Sequence, residues 1–135
     1  MAQFTNNFKR YLNNYSRVIT QNIENGAAQA MLYSLGLSKS DLNKAQVGVC
    51  SMWYQGNPCN SKLNIYSDLV PNNIKLQDDL LPLQFNTIGI SDGISMGTDG
   101  MKYSLPSREL ISDSIESVVK GLLLRVDIKG SHECC

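Results

Sequence analysis

The sequence predicts an α/β fold in which helices surround a short, mainly parallel sheet. Two short apolar runs have the length and the bounded pattern of buried strands, and stretches rich in helix formers lie before and after them. The resulting order is helix, strand, loop, strand, loop, helix, which is typical of an α/β unit whose strands end in functional loops. The chain has 135 residues, a length that fits one domain.

The composition narrows the classes of function. Hydrophobic residues make up 42% of the chain and charged residues 18%, a balance too apolar for intrinsic disorder. The 12 Lys and Arg residues equal the 12 Asp and Glu residues, so electrostatics predict no nucleic-acid partner and no anionic membrane partner. No apolar run approaches the roughly 18–20 residues that span a bilayer. Because there is one His, a metal site would draw most of its ligands from Cys or carboxylates.

The first half of the chain contains a predicted helix and a predicted strand. Helix formers fill Gly26–Gly36, and Gly36 is placed to end the helix in a left-handed conformation. Ser40 and Asp41 can open a further turn of helix. The apolar run Gln46–Met52 is interpreted as a buried strand.

The next segment contains a loop, an ambiguous stretch and a second predicted strand. Gly, Asn and Pro cluster in Trp53–Asn60, which predicts a loop. Ser61–Leu80 is ambiguous, because Pro71 is expected to interrupt any helix there. Leu83–Ile90 is predicted to be the second strand, with its β-branched residues at the far end.

A glycine-punctuated loop and a helix are expected after the second strand. The loop is assigned to Ser91–Met101, where glycines recur. Ser104 or Ser107 is the expected N-cap of the helix, and a 3.6-residue apolar period continues to about Lys120.

The cysteines divide by position. Cys59 lies in the loop after the first strand, where its thiol can serve as a metal or cluster ligand or can be an ordinary buried cysteine. Cys50 lies inside the strand and is expected in the core. Cys134 and Cys135 lie beside His132 near the end of the sequence, where no metal-site spacing fits and a disordered tail is the simpler interpretation.

Asp92 and Asp99 flank the glycine-rich loop after the second strand. Carboxylates at the carboxyl end of a strand are where α/β folds place ligand contacts, and such a carboxylate can bind Mg²⁺. Two alternatives remain, a plain turn with solvated aspartates or a cradle for an anion built from the backbone amides of Gly93, Gly97 and Gly100.

Several segments, in order, resemble the dihydroxy-acid dehydratase family, which also includes sugar-acid dehydratases. They cover roughly Tyr15 to Val119 and comprise Gly26–Tyr33, Gln46–Val49, Gly56–Asn60, Phe85–Gly97 and Met101–Val119.

The resemblance implies a lyase that dehydrates small 2,3-dihydroxy acids to 2-oxo acids in branched-chain amino-acid biosynthesis. It implies an iron–sulfur cluster, of the 2Fe-2S type in the complete enzyme, and Mg²⁺, together with a homodimer and a mitochondrial or cytoplasmic location. Cys59 matches the first cluster ligand and Asp92 matches a Mg²⁺-binding carboxylate. The catalytic serine of the family lies much further along the chain, so no catalytic residue is assigned here.

The sequence departs from the family after Val119. The Gly-Cys-Asp-Lys motif that carries the second cluster cysteine is not found there, and family members are much longer. We therefore expect an N-terminal extension at 1–14, a dehydratase-like fragment at 15–119 and a divergent tail at 120–135. The fragment is expected to be inactive alone. The alternatives are a non-catalytic module that pairs with a full-length dehydratase and a fragment of a sugar-acid dehydratase.

Overall fold

A three-stranded parallel sheet forms the centre of the protein; the sequence predicts its parallel character and two of its strands but not the third. The structure is a computed structural model that describes residues 12–126. Strand β1 is central, with β2 on one side and β3 on the other. The strands are β1 at Ala45–Ser51, β2 at Leu80–Asn86 and β3 at Arg125–Val126.

Helices connect and flank the strands. They are α1 at Arg17–Thr20, α2 at Gly26–Ser34, α3 at Leu63–Lys75, α4 at Asp92–Ser95 and α5 at Ser104–Gly121. Short 3₁₀ turns lie at Ile23–Asn25, Asp41–Asn43 and Asp99–Tyr103. In the described part of the chain, no helix is both long and apolar enough to cross a membrane.

The pairing of β1 with β2 sets the geometry of the molecule. The two strands run parallel over their whole length, from Ala45 opposite Leu80 to Ser51 opposite Asn86. A parallel pair needs a crossover connection, which α3 provides, and α3 packs on both strands. The carboxyl ends of β1 and β2 therefore lie at one edge of the sheet.

The core is centred on β1. Its residues from Ala45 to Val49 are all buried, as expected for a strand covered on both faces. Burying a Val or Leu side chain contributes about 1.5–3 kcal/mol. The buried apolar residues are Leu42, Ala45, Val47, Val49, Leu81, Ile111 and Leu124.

Two buried polar residues tie the segment before α1 to the start of β1. The Ser16 hydroxyl accepts a hydrogen bond from the Gln46 N–H at 3.1 Å. The Asn13 side-chain amide donates to the Asn43 carbonyl at 3.0 Å. Because both partners lie about 30 residues away, these bonds fix the segment by tertiary contact.

The first and last predicted helices are present, but one predicted cap is wrong. Helix α2 ends at Ser34, and Gly36 has the predicted positive φ of 83°. Helix α5 continues directly from a 3₁₀ turn, so Tyr103 occupies the N-cap position and makes no side-chain cap. Ser104 is the first helical residue, and the Ser107 hydroxyl donates to the Ser104 carbonyl at 2.7 Å.

The second strand lies earlier in the sequence than predicted. It ends at Asn86 because β1, its partner, ends at Ser51, and the Thr87 N–H donates the last bond of this edge to the Ser51 carbonyl at 2.9 Å. The β-branched residues that favoured a strand as far as Ile90 have no strand to pair with. The availability of a partner outweighs their intrinsic preference.

The segment predicted as a loop at Ser91–Met101 also contains regular structure. Helix α4 begins there, and the Ser91 hydroxyl caps it by accepting from the Ile94 N–H at 3.4 Å. A 3₁₀ turn follows from Asp99. Gly97 lies between helix α4 and this turn and has a positive φ of 75°, which glycine adopts readily.

Helix α3 runs through Pro71, which the sequence analysis expected to interrupt it. Proline has no N–H, so it cannot donate the helical hydrogen bond to the carbonyl four residues earlier, that of Ser67. The Gln84 side-chain amide, on β2, donates to this carbonyl instead. Pro71 itself is buried. A donor from the neighbouring strand thus supplies a hydrogen bond that the helix lacks.

We expect Pro71 and Gln84 to be energetically coupled. Gln84→Leu leaves the Ser67 carbonyl without its donor and should lower the free energy of unfolding by about 1–2 kcal/mol. In a Pro71→Ala background, the N–H of residue 71 can donate this bond. Gln84→Leu should therefore lower the free energy of unfolding by less in that background. Urea denaturation of the double-mutant cycle measures the coupling. Gln77→Leu, a change at an exposed residue, is the control and should show no coupling with Pro71→Ala. If Gln84→Leu lowers the free energy of unfolding equally in both backgrounds, the hydrogen-bond assignment is contradicted.

A reciprocal pair of hydrogen bonds between Ser38 and Asp41, similar to a capping box, precedes β1. The Asp41 N–H donates to the Ser38 hydroxyl at 3.2 Å, and the Ser38 N–H donates to the Asp41 carboxylate at 2.9 Å. Lys44 Nζ lies 2.8 Å from the same carboxylate. The Lys44 hydrogen bond, followed by those from Ser38, holds the pKa of Asp41 well below its ordinary value.

This lowered pKa predicts a pH-dependent contribution to stability. The contribution is complete above the unfolded-state pKa of about 3.9 and is lost as the pH falls below it. At pH 7, Asp41→Asn should lower the free energy of unfolding by about 1 kcal/mol. Urea denaturation should show this deficit shrinking below about pH 4. Asp99→Asn, at an exposed aspartate, is the control, and a deficit independent of pH would refute the prediction.

Candidate functional site

The loops that follow β1 and β2 touch each other at the carboxyl edge of the sheet. Gly89, in the loop after β2, lies against the loop after β1. A Cβ atom at this position would lie 3.1 Å from Asn60 Nδ2, 3.5 Å from Tyr54 Cε1 and 3.6 Å from Met52 Cβ. The absence of a side chain at Gly89 permits this close approach.

The loop after β1 fixes the backbone at Cys59 and leaves its thiol exposed. The side-chain oxygen of the buried Asn57 accepts from the Cys59 N–H at 3.2 Å, and the backbone carbonyl of Asn57 accepts from the Asn60 N–H at 3.0 Å. The Asn60 side chain donates to the Met52 carbonyl at 3.0 Å. Cys59 is a free, exposed cysteine. A thiol with this exposure on a held backbone is available to a ligand.

Cys50 has a different environment. It lies near the end of β1 and is half-buried, so the core position expected from the sequence is only partly realised. Burial raises the pKa of the Cys50 thiol, which disfavours the thiolate that binds metals.

Asp92 is the first residue of α4 and is held by two residues of α5. The Ser104 hydroxyl donates to Asp92 Oδ1. Arg108 Nη2 lies 3.3 Å from Asp92 Oδ2, and the Asp92 side chain is 23% exposed. The two carboxylate oxygens therefore have different partners, one a neutral hydroxyl and the other a guanidinium.

Asp99 is exposed and does not face this site through any contact that the structure describes. Its carboxylate pairs with Lys102 Nζ at 2.6 Å. The Gly100 N–H donates to the Thr98 hydroxyl at 3.2 Å, so this amide is engaged locally. These contacts favour the plain turn over the anion cradle at this end of the loop.

A cavity of about 320 Å³ opens between α3 and the ends of β1 and β2. Its lining is mostly polar, with one exposed carboxylate and two aromatic side chains. The lining residues are Val49, Trp53, Asn64, Ser67, Asp68, Gln84, Phe85 and Asn86.

Between residues 12 and 126, no group of three or more His, Cys, Asp or Glu side chains is arranged to hold a metal ion. The two candidate ligands nevertheless fit the chemistry of the groups implied by the resemblance. The Cys59 sulfur is a soft donor suited to iron–sulfur clusters, and the Asp92 carboxylate is a hard donor suited to Mg²⁺. Each provides a single ligand. His132, Cys134 and Cys135 lie outside the described residues.

The sequence analysis missed the partners of Asp92. Ser104 and Arg108 are four residues apart in α5, so they share one face of that helix. This spacing marks a polar stripe, but the sequence does not reveal that the stripe faces Asp92. Asn57, which holds the Cys59 backbone, is marked by the sequence only as part of a predicted loop and of the family-like segment Gly56–Asn60.

A protein-family model described as dihydroxy-acid/6-phosphogluconate dehydratase N-terminal matches residues 44–125. The match includes both candidate ligands and continues past Val119 to the start of β3.

Curated relatives agree with this match. A dihydroxy-acid dehydratase of Francisella tularensis subsp. novicida is 52% identical over 82% of this chain and 20% of the relative. A mitochondrial dihydroxy-acid dehydratase of Penicillium brasilianum is 56% identical over 80% of this chain and 18% of the relative. A mitochondrial one of Schizosaccharomyces pombe is 54% identical over 84% of this chain and 19% of the relative.

The chain thus spans about a fifth of the length of the relatives that it matches. More than half of the chain matches the model of the N-terminal region, and the similarity includes the loops at the carboxyl edge of the sheet. The chain belongs to the dihydroxy-acid/6-phosphogluconate dehydratase family and corresponds to the N-terminal part of its members.

Proposed function

We propose that this chain provides part of the metal-dependent active site of a dihydroxy-acid dehydratase. In this proposal Cys59 is one ligand of an iron–sulfur cluster, and Asp92 is one ligand of Mg²⁺. The observation that carries the proposal is the contact of Gly89 with the loop after β1, because it joins the loop of the thiol to the segment that leads into Asp92.

The proposed reaction removes water from a 2,3-dihydroxy acid. A proton leaves C2, the C3–O bond breaks with loss of hydroxide, and the resulting enol becomes the 2-oxo acid. When bound, the cluster and Mg²⁺ supply Lewis acidity and neutralise charge on the substrate oxygens. Asn57 fixes the backbone that presents the Cys59 thiol, and Ser104 fixes the Asp92 carboxylate.

The same reasoning predicts that the chain alone is inactive. One thiol cannot hold an iron–sulfur cluster, which needs several cysteine ligands, and one carboxylate holds Mg²⁺ only weakly because the ion keeps most of its waters. The base that takes the C2 proton is assigned to no described residue. A small dihydroxy acid of branched-chain biosynthesis is the proposed substrate of the complete protein, with a sugar acid as the alternative. A homodimer and a mitochondrial or cytoplasmic location complete the proposal, and the names of the two fungal relatives favour mitochondria.

A chimera tests the roles of the two ligands. Residues 44–125 replace the corresponding segment of the Francisella enzyme, and iron content, visible absorption and 2-oxo acid formation are measured. The parent chimera should be coloured and active, whereas the chain alone should show neither property. Cys59→Ser should remove most of the cluster absorption and lower turnover by at least about 100-fold.

Asp92→Asn should keep the colour of the chimera but raise the Mg²⁺ concentration needed for activity by about 10–100-fold. Cys50→Ser and Asp99→Asn are the matched controls and should leave both properties unchanged. Full cluster absorption in the Cys59→Ser chimera, or an unchanged Mg²⁺ requirement in the Asp92→Asn chimera, would refute the corresponding assignment.

A second candidate function is a non-catalytic module that pairs with a full-length dehydratase. The observation that favours it is the exposure of large apolar side chains on two helices, 74% for Met31 on α2 and 67% and 57% for Leu105 and Leu110 on α5. Exposed apolar surface marks sites of protein contact where it forms a contiguous patch.

Co-purification tests this candidate. The tagged chain is co-expressed with the Schizosaccharomyces pombe enzyme, and the amount of enzyme that is retained is measured. Retention is expected, and Leu105→Ser combined with Leu110→Ser should reduce it about tenfold because the apolar contact is lost. Asp113→Ser, an exposed change on the same helix, is the control. No retention, or equal retention by the double variant, would exclude pairing through this surface.

A further inference from the structure

The two oxygens of the Asp92 carboxylate are held in different ways. The donor to Oδ1 is Ser104, which is only 2% exposed. The partner of Oδ2 is Arg108, whose side chain is 47% exposed and whose Nη2 lies 3.3 Å away. This distance exceeds the 2.7–2.9 Å typical of a strong charge-assisted hydrogen bond.

These contacts differ in how easily they can be replaced. Removing the Ser104 bond would leave a buried hydroxyl without its acceptor, which is costly. The Arg108 contact is a partly exposed ion pair, and such pairs contribute little. Arg108 can return to water without loss of a buried partner. Oδ2 is therefore the oxygen that an incoming cation can reach.

We propose that Ser104 is a positioning residue that orients Asp92 for a divalent cation, and that Arg108 is the counter-ion that the cation displaces from Oδ2. The inference rests on the proposed role of Asp92. It predicts opposite effects for the two residues, because one supports the carboxylate and the other competes with the cation for it.

Paramagnetic NMR of the full 135-residue chain tests the inference without an activity measurement. Mn²⁺, the probe, broadens amide signals close to its binding site even when binding is weak. Titration should broaden the signals of Asp92, Gly93 and Ile94. The Mn²⁺ concentration at half of the full broadening, called the midpoint below, gives an apparent affinity. Asp92→Asn should abolish this broadening.

The Ser104 and Arg108 variants should move the midpoint in opposite directions. Ser104→Ala should raise it by about tenfold, and Ser104→Thr, which keeps the hydroxyl, should restore it. Arg108→Gln should lower the midpoint by up to about fivefold, the scale of one exposed ion pair.

Two controls separate these effects from general ones. Ser107→Ala removes a buried hydroxyl from the same turn of α5, but that hydroxyl bonds to the Ser104 carbonyl and not to Asp92. Lys102→Gln removes a cation from the same region, but one that pairs with Asp99. Both variants should keep the parent midpoint.

The outcomes distinguish this inference from the proposed function. If Asp92→Asn abolishes the broadening but Ser104→Ala behaves like Ser107→Ala, the positioning role is refuted and the ligand role of Asp92 stands. An Arg108→Gln midpoint equal to or above that of the parent refutes the displacement. If the parent chain shows no broadening, or Asp92→Asn leaves it unchanged, the inference is overturned, and the ligand role of Asp92 in the complete protein is decided separately by the Mg²⁺ requirement of the Asp92→Asn chimera.

Discussion

The parallel pairing of β1 with β2 is the constraint on which the rest of the molecule depends. Its register, from Ala45 opposite Leu80 to Ser51 opposite Asn86, ends both strands at one edge. The two loops that leave this edge carry the residues that matter for the proposed chemistry. A slip of one residue would also reverse the faces of every side chain in the shifted strand, so the core and the site depend on the same register.

Local interactions then hold this arrangement in place. Pro71 would weaken the crossover helix, but Gln84 from β2 supplies the missing donor to the Ser67 carbonyl. This bond links α3 to the strand that it must place beside β1. Gly89 allows the two loops to touch where a larger residue would push them apart. The helix, the strand and the loop edge are thus coupled by polar and steric contacts as well as by the apolar core.

The family relationship explains why the proposed site is distributed over separate segments of the complete protein. The chain spans about a fifth of its relatives, and it holds one thiol and one carboxylate of the donor types that an iron–sulfur cluster and Mg²⁺ prefer. Each of these proposed ligands is presented by its own support, Asn57 for the Cys59 backbone and Ser104 for Asp92. A site assembled from separate segments needs such supports, because every segment must bring its ligand in the correct orientation.

The sequence by itself determined the α/β class, the first strand, the flanking helices and the family. These features follow from apolar runs, helix formers, the left-handed Gly36 and long segments of matching residues, all of which are local along the chain. The tertiary structure alone decided where the second strand ends, why α3 continues through Pro71, and what holds Asp92. Each of these depends on a partner distant in sequence: Ser51 as the end of β1, Gln84 as a donor, and the polar face of α5 with Ser104 and Arg108. Propensity and spacing describe a residue's neighbours along the chain, whereas these contacts depend on how the elements pack in the tertiary structure.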